Sequence, residues 1–221
     1  ELVIISEQDR NSFSFKEKES IHVISNGVDT NYFNPVDAKK EYDFLFVGNM
    51  SYPPNVDAAV HFVEDILPLI KSKKPNIKVM IAGTTPAPSV KALASHNVTI
   101  TGFLEDIRSA YNQSKVFVAP LRLGAGLQNK LLEAMSMSIP CITSTLANNA
   151  LMASEKEILV TDNKEEFANY CVELIKNNNL YYIDDFIVQI VTIGEFDYVQ
   201  FQISKNRINY KKYINDMISN G

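Results

Sequence analysis

"DFLFVG", Asp43 to Gly48, decides how this chain is read. Phe44, Leu45, Phe46 and Val47 follow one another with no polar residue between them, so neither face of a strand built from them is suited to water. That is the composition of a parallel strand covered on both sides. Glycine ends the run. Apolar residues then return at helical spacing, at Val56, Ala59, Val60, Val63, Ile66, Leu67 and Ile70, and predict a helix over that stretch. The pattern repeats downstream. "IKVMIAG" (Ile77 to Gly83), "VTITG" (Val98 to Gly102), "VFVAP" (Val116 to Pro120), "PCITS" (Pro140 to Ser144) and "EILVT" (Glu157 to Thr161) read as strands. Ile107 to Tyr111, Leu127 to Met137, and Phe167 with Cys171, Leu174 and Ile175 read as helices. Strands alternating with helices make a parallel sheet, and right-handed crossovers make it a doubly wound, Rossmann-like α/β domain. Ligands of such sheets bind beyond the carboxyl ends of the strands, here the loops after Val47, Ala82, Thr101, Ala119 and Thr143.

The two ends of the chain follow other patterns. "LVIIS" (Leu2 to Ser6) reads as a strand. "EKESIHVISNGVDTNYFNP" holds a short strand and a turn at Asn26-Gly27. Glu195 to Asn220 is weakly helical, with Ile203, Tyr210, Ile214 and Met217 on one stripe. Residues 1–25 therefore read as a lead-in from another unit, 26–194 as the Rossmann-like domain and 195–221 as a helical segment.

Of 221 residues 46% are hydrophobic and 21% charged, a balance suited to a globular domain with a core. A net charge of −5 argues against nucleic acid as a partner, which needs a basic footprint, but leaves room for a phosphate ligand held by a few local cations. Cys141 and Cys171 fit no metal-ligand spacing and read as reduced core thiols of a cytoplasmic protein. No apolar run is long enough to span a membrane, and the first residue is Glu1, so the chain reads as a piece of something longer. His22, His61 and His96 form no motif, and His61 reads as a packed or surface residue. Neither a Gly-x-Gly-x-x-Gly fingerprint nor a Walker lysine motif is present, which disfavours nicotinamide enzymes and NTPases.

The loop with the most chemistry is "PLRLGAGLQNKLLEAM", Pro120 to Met135. Gly124 and Gly126 let the backbone approach a ligand and present its N–H groups. The helix that follows turns its N-terminus to the same place, which favours an anion. Arg122 and Lys130 add positive charge, and Lys130 and Glu133 share a helix face. Two readings stand on these residues alone: a diphosphate and ribose grip, or an ordinary strand-loop-helix joint with a solvated ion pair.

Four segments, "VISNGVDTNYF" (Val23 to Phe33), "FLFVGNMSYPPNVDA" (Phe44 to Ala58), "VTITGFLEDIRSAYNQSKVFVAPL" (Val98 to Leu121) and "GAGLQNKLLEAMSMSIPCITS" (Gly124 to Ser144), resemble the C-terminal half of a group 1 glycosyltransferase. The resemblance runs from about Ser6 to about Lys176. It implies one half of the two-domain GT-B architecture and a retaining transfer, of hexosyltransferase type, from a UDP-, GDP- or ADP-sugar. It implies neither a cofactor nor a metal. It assigns Glu133 to the donor ribose, Lys130 to the diphosphate, Gly126 to the diphosphate or donor sugar, and Gly102, Phe103 and Leu104 to the nucleobase. Gly48 with Asn49, and Arg122, Gly124, Ala125 and Leu127, complete the expected donor site, while "SNGVD" is mainly a structural turn.

Three positions depart from the family. A glutamate that contacts the transferred sugar is replaced by Ala125. An arginine after the first glycine and a lysine six residues later are replaced by Asn49 and Asn55, leaving Arg122 and Lys130 to compensate. No catalytic residue is assigned. The acceptor would be held by an N-terminal domain almost wholly missing from this chain, so the chain alone is expected to be inactive or weakly active. The resemblance implies polysaccharide or glycoconjugate assembly, with peripheral membrane contact of the full-length enzyme. The alternatives are a non-catalytic nucleotide-sugar-binding module and a sugar-nucleotide epimerase on the same architecture.

Overall fold

The computed structural model describes residues 2–124, 126–154, 157–176, 188–193 and 196–201. At the start, β1 (Val3–Ile4) leads into α1 (Glu7–Ser12), whose N-cap Ser6 accepts from the Asp9 amide. After a 3₁₀ segment at Lys16–Ser20, β2 (His22–Val23) pairs in parallel with β1 as a separate two-stranded sheet. No turn forms at Asn26-Gly27. Ile24 donates to the Ile4 carbonyl, the chain continues extended, and the turn comes at Thr30–Tyr32, where Asp29 Oδ1 accepts from the Asn31 and Tyr32 amides. An Asn-Gly hairpin turn needs two left-handed residues; Gly27 is not left-handed here, because parallel pairing holds the preceding chain extended.

Then comes the predicted parallel domain. β3 (Tyr42–Val47) is buried almost throughout. The helix expected after it as one piece is α2 (Pro53–His61), a π-helical turn at Phe62–Ile66, and α3 (Leu67–Lys73). Leu67 donates five residues back to Phe62. Pro68 explains the widening, since it has no N–H and its ring would strike the carbonyl four residues earlier. β4 (Val79–Ala82), α4 (Pro88–Ala92), β5 (Val98–Gly102) and α5 (Arg108–Asn112) follow. Next are β6 (Ser114–Ala119), α6 (Asn129–Ser136), β7 (Cys141–Thr143), α7 (Thr145–Leu151), β8 (Leu159–Val160) and α8 (Lys164–Lys176). The short helices α4 and α7 carry too few turns to show a hydrophobic period.

The six strands lie in the order β5-β4-β3-β6-β7-β8, all parallel. This is the doubly wound order in which the winding reverses between the first and fourth strands, here β3 and β6. Rings fill the core. Phe62 stands edge-on to Phe44 at 5.8 Å and to Phe167 of α8 at 6.4 Å, joining the α2–α3 arm to the last helix. Tyr111 lies 5.8 Å from Phe117 and edge-on to Phe33 at 6.2 Å, tying the incoming segment to the sheet. Cys141 and Cys171 are buried and free.

Beyond α8, β9 (Val188–Ile193) and β10 (Phe196–Phe201) form an antiparallel hairpin. The start of the stretch expected to be helical is therefore strand. "FDYVQF" alternates with period two and is rich in aromatic and β-branched residues, which outweighs the weak helical stripe. That stripe (Ile203, Tyr210, Ile214, Met217) lies outside the described residues.

The ends of β3 and β4 meet at two glycines. A Cβ on Gly83, whose φ is +138°, would fall 1.8 Å from the Gly48 carbonyl oxygen. Gly83→Ala is expected to lose at least about 3 kcal/mol of stability or to prevent folding, read from the urea unfolding midpoint. An unchanged midpoint would refute this packing.

Candidate functional site

In a sheet of this winding the ligand crevice lies beyond the carboxyl ends of β3 and β6, between the turn after Val47 and the loop after Ala119. Gly48 opens the first. A Cβ there would come within 2.6 Å of Asn55 Nδ2, so the missing side chain makes room for Asn55, which is only 6% exposed. Asn55 Nδ2 donates to the Asn49 carbonyl at 3.0 Å. The Asn49 side chain turns back on its own loop, its Oδ1 accepting from the Ser51 amide at 3.0 Å and the Ser51 hydroxyl at 2.8 Å.

Lys130, on the first turn of α6, reaches this loop. Its Nζ donates to Asn55 Oδ1 and lies 5.0 Å from the centre of the Phe46 ring. Burial lowers its pKa to about 8, against a smaller upward pull from Glu133. Lys130 is therefore mostly charged at neutral pH and close to losing its proton.

Glu133, three residues on, is half-buried. Its Oε2 accepts from the Tyr111 hydroxyl at 2.8 Å. Burial raises its pKa, while that hydrogen bond and Lys130 hold it down. Tyr111 is itself fully buried, and its phenol is pushed well above the usual value by burial and by Glu133. One Glu133 oxygen is thus anchored from below, and two groups of opposite charge stand side by side on one helix, both short of water.

Arg122 has a different setting from the one the sequence suggested. Its guanidinium forms a two-point pair with Asp57 of α2, Nε to Oδ2 at 3.0 Å and Nη2 to Oδ1 at 2.7 Å. Its charge is balanced before any ligand arrives. Gly124 and Gly126 have φ of +100° and +79°. A Cβ on Gly124 would touch Pro54 at 3.3 Å, and one on Gly126 would stand 3.5 Å from the Asp9 carboxylate, so this loop runs between α2 and the N-terminal segment. Leu127 is half-buried, and Ala125 lies outside the described residues. At the end of β5, Gly102 has φ of +69° with open space where a Cβ would point. Phe103 beside it is 73% exposed, an uncovered aromatic face, while Leu104 packs on the core.

A cavity of about 340 Å³ lies to the side, beyond β6, β7 and β8, with His61, Arg122, Ser144, Asp162, Lys164 and Phe167 on its wall. Neither Lys130 nor Glu133 lines it. His61 is paired with Asp65 at 2.6 Å, and Ser144 caps α7 while donating to the Leu121 carbonyl at 2.6 Å, so much of its polar wall is already engaged.

The sequence singled out Lys130 and Glu133 but not what holds them. Asn55 stood out only as a departure from the family, and Tyr111 only as a helix marker. Asp57 carries no signal of its own in the sequence. These partners lie 75, 22 and 65 residues away from Lys130, Glu133 and Arg122, distances at which no periodicity carries a signal.

The family Glycosyl transferases group 1 matches residues 41–177. A Klebsiella pneumoniae protein described as an uncharacterized 44.6 kDa protein in the cps region is 26% identical over 143 residues, covering 60% of this chain and 37% of that protein. Among solved structures, TarM superposes with a TM-score of 0.66 at 18% identity, over 81% of this chain and 37% of its own. Anabaena Alr3699/HepE in complex with UDP and glucose gives 0.66 at 15% identity, over 80% of this chain and 54% of its own. The chain thus spans 37% to 54% of the length of these proteins.

Because the Lys130 pKa is lower in the fold than in the unfolded chain, the unfolded chain holds more protons between about 8 and the ordinary lysine value. Stability contributed by this group therefore rises with pH across that window, and its cost is complete below it. Urea unfolding from about pH 7.5 to about pH 10 is expected to shift the stability difference between wild type and Lys130→Met in favour of wild type. A flat difference would rule out a desolvated Lys130.

Proposed function

As the chain belongs to the group 1 glycosyltransferases, we propose that it is the donor-binding portion of an enzyme that transfers a sugar from a nucleotide-sugar to an acceptor with retention at the anomeric carbon. The observation that supports this most is the Lys130–Glu133 pair on α6, at the edge of the crevice where the winding of the sheet reverses. Lys130, desolvated and held by an uncharged partner, keeps its positive charge for an anion. We assign it to the donor diphosphate, where it also stabilises charge on the leaving group. Glu133 has one oxygen fixed by Tyr111 and is assigned to the ribose hydroxyls, for which a carboxylate is a natural acceptor.

Gly102 and the exposed Phe103 border the place we assign to the nucleobase, and Gly124 and Gly126 the place of the diphosphate and sugar. Arg122, already paired with Asp57, is given a structural share in that site. The solved neighbour Anabaena HepE is in complex with UDP and glucose, which supports a nucleotide-sugar donor, a UDP-, GDP- or ADP-sugar. Residues 26–194 are assigned to the donor domain and residues 1–25 to the passage from an acceptor domain. The β1–β2 pair, separate from the six-stranded sheet, agrees with that division. We further propose a role in polysaccharide or glycoconjugate assembly at the cytoplasmic side of a membrane; one relative is described as a protein in a cps region.

Calorimetric titration with UDP, GDP and ADP tests the donor site. One nucleotide is expected to bind selectively, Lys130→Ala to weaken it about tenfold or more, and Glu133→Ala to erase the preference for ribose over 2′-deoxyribose. Equal binding by wild type and both variants would remove the assignment. Glycosyl transfer by the chain joined to an acceptor domain separates a transferase from a module that only binds.

A further inference from the structure

A lysine on four flexible carbons has many places to put its charge, and fixing it in one of them costs rotamer entropy. At this site the cost is met by a neighbour. Asn55 is buried, and both ends of its amide are engaged, Nδ2 by the Asn49 carbonyl and Oδ1 by the Lys130 ammonium. The first bond decides the orientation of the amide: with Nδ2 committed to the backbone of the loop, the oxygen must face Lys130. Gly48 leaves the space in which this happens.

The chemistry of the acceptor matters as much as its position. A carboxylate at position 55 would hold the ammonium more strongly but cancel the charge that an anion has to meet. An amide accepts the hydrogen bond and leaves the charge in place. The Phe46 ring supports the ammonium from another side without neutralising it. Asn49, whose side chain closes its own loop through Ser51, completes the frame on which Asn55 rests.

We propose that Asn55 is a positioning residue for Lys130, setting the place at which the lysine ammonium meets a diphosphate at the β3–β6 crevice. This rests on the donor-site reading above. Asn49 and Asn55 together build the cation's seat without touching the ligand.

The test is a thermodynamic cycle, with UDP, GDP and ADP titrated in parallel into wild type, Asn55→Ala, Lys130→Ala and the double variant, and folding checked by thermal unfolding. Asn55→Ala is expected to weaken the best nucleotide about tenfold, and to weaken it no further once Lys130 is gone. The same non-additivity separates positioning from a merely structural asparagine, whose loss would weaken binding equally with and without Lys130. If Asn55→Ala does not fold, Asn55→Leu, of similar volume and with no acceptor, takes its place.

Losses that add in the double variant would overturn the positioning role. So would wild-type affinity in Asn55→Ala while Lys130→Ala is weak, and in that case the donor site itself stands. A folded wild type that binds none of the three nucleotides would overturn the donor-site reading, and this proposal with it.

Discussion

Gly48 and Gly83 meet backbone to backbone at the carboxyl ends of β3 and β4, and the arrangement of the crevice follows from that contact. Any side chain on Gly83 would collide with the Gly48 carbonyl, and any side chain on Gly48 would occupy the slot of Asn55. Close approach here brings the turn after β3 in over the sheet instead of away from it. The Gly48 amide bonds to Ala82 and the Met50 amide to Thr84, so the turn is fixed to the neighbouring strand end before it reaches α2. The Asn55 amide, which accepts from the Lys130 ammonium beside the Phe46 ring, stands on this base.

The pair on α6 shows how a half-buried site keeps opposite charges apart and in use. Lys130 and Glu133 are one helical turn apart, close enough to moderate each other's pKa. They do not form a hydrogen bond with each other, and each has a neutral partner. Asn55 holds the cation and Tyr111 the anion. A direct ion pair would have satisfied both groups and left little for a ligand. By contrast Arg122 is spent on Asp57, and the same kind of residue in the same loop becomes part of the scaffold.

Much of the fold was legible because parallel strands buried on both faces have to be apolar throughout. "DFLFVG", "IKVMIAG" and "VFVAP" could hardly be anything else, and each was found in place. The errors have particular causes. Pro68 sits inside an unbroken apolar period and changes the hydrogen bonding without changing the pattern. Asn26-Gly27 has the composition of a turn, but pairing of β1 with β2 holds the chain straight. "FDYVQF" falls at the start of a stretch read as weakly helical, although the apolar stripe that suggested a helix begins only at Ile203, beyond the strand. At the site, Lys130, Glu133 and the glycines of the α6 loop were visible as a spacing, whereas the roles of Asn55, Tyr111 and Asp57 were not.

By itself the sequence determined the strand-helix alternation, the doubly wound sheet, and the loops in which a ligand could be held. These are local matters, set by apolar periods and by glycine and proline over a few residues. The resemblance in its motifs pointed to the family. Only the tertiary structure decided which charges remain usable. Whether a lysine or an arginine is already paired, and whether a carboxylate is lifted or lowered in pKa, depends on side chains brought together from distant parts of the chain and on how much water is excluded between them.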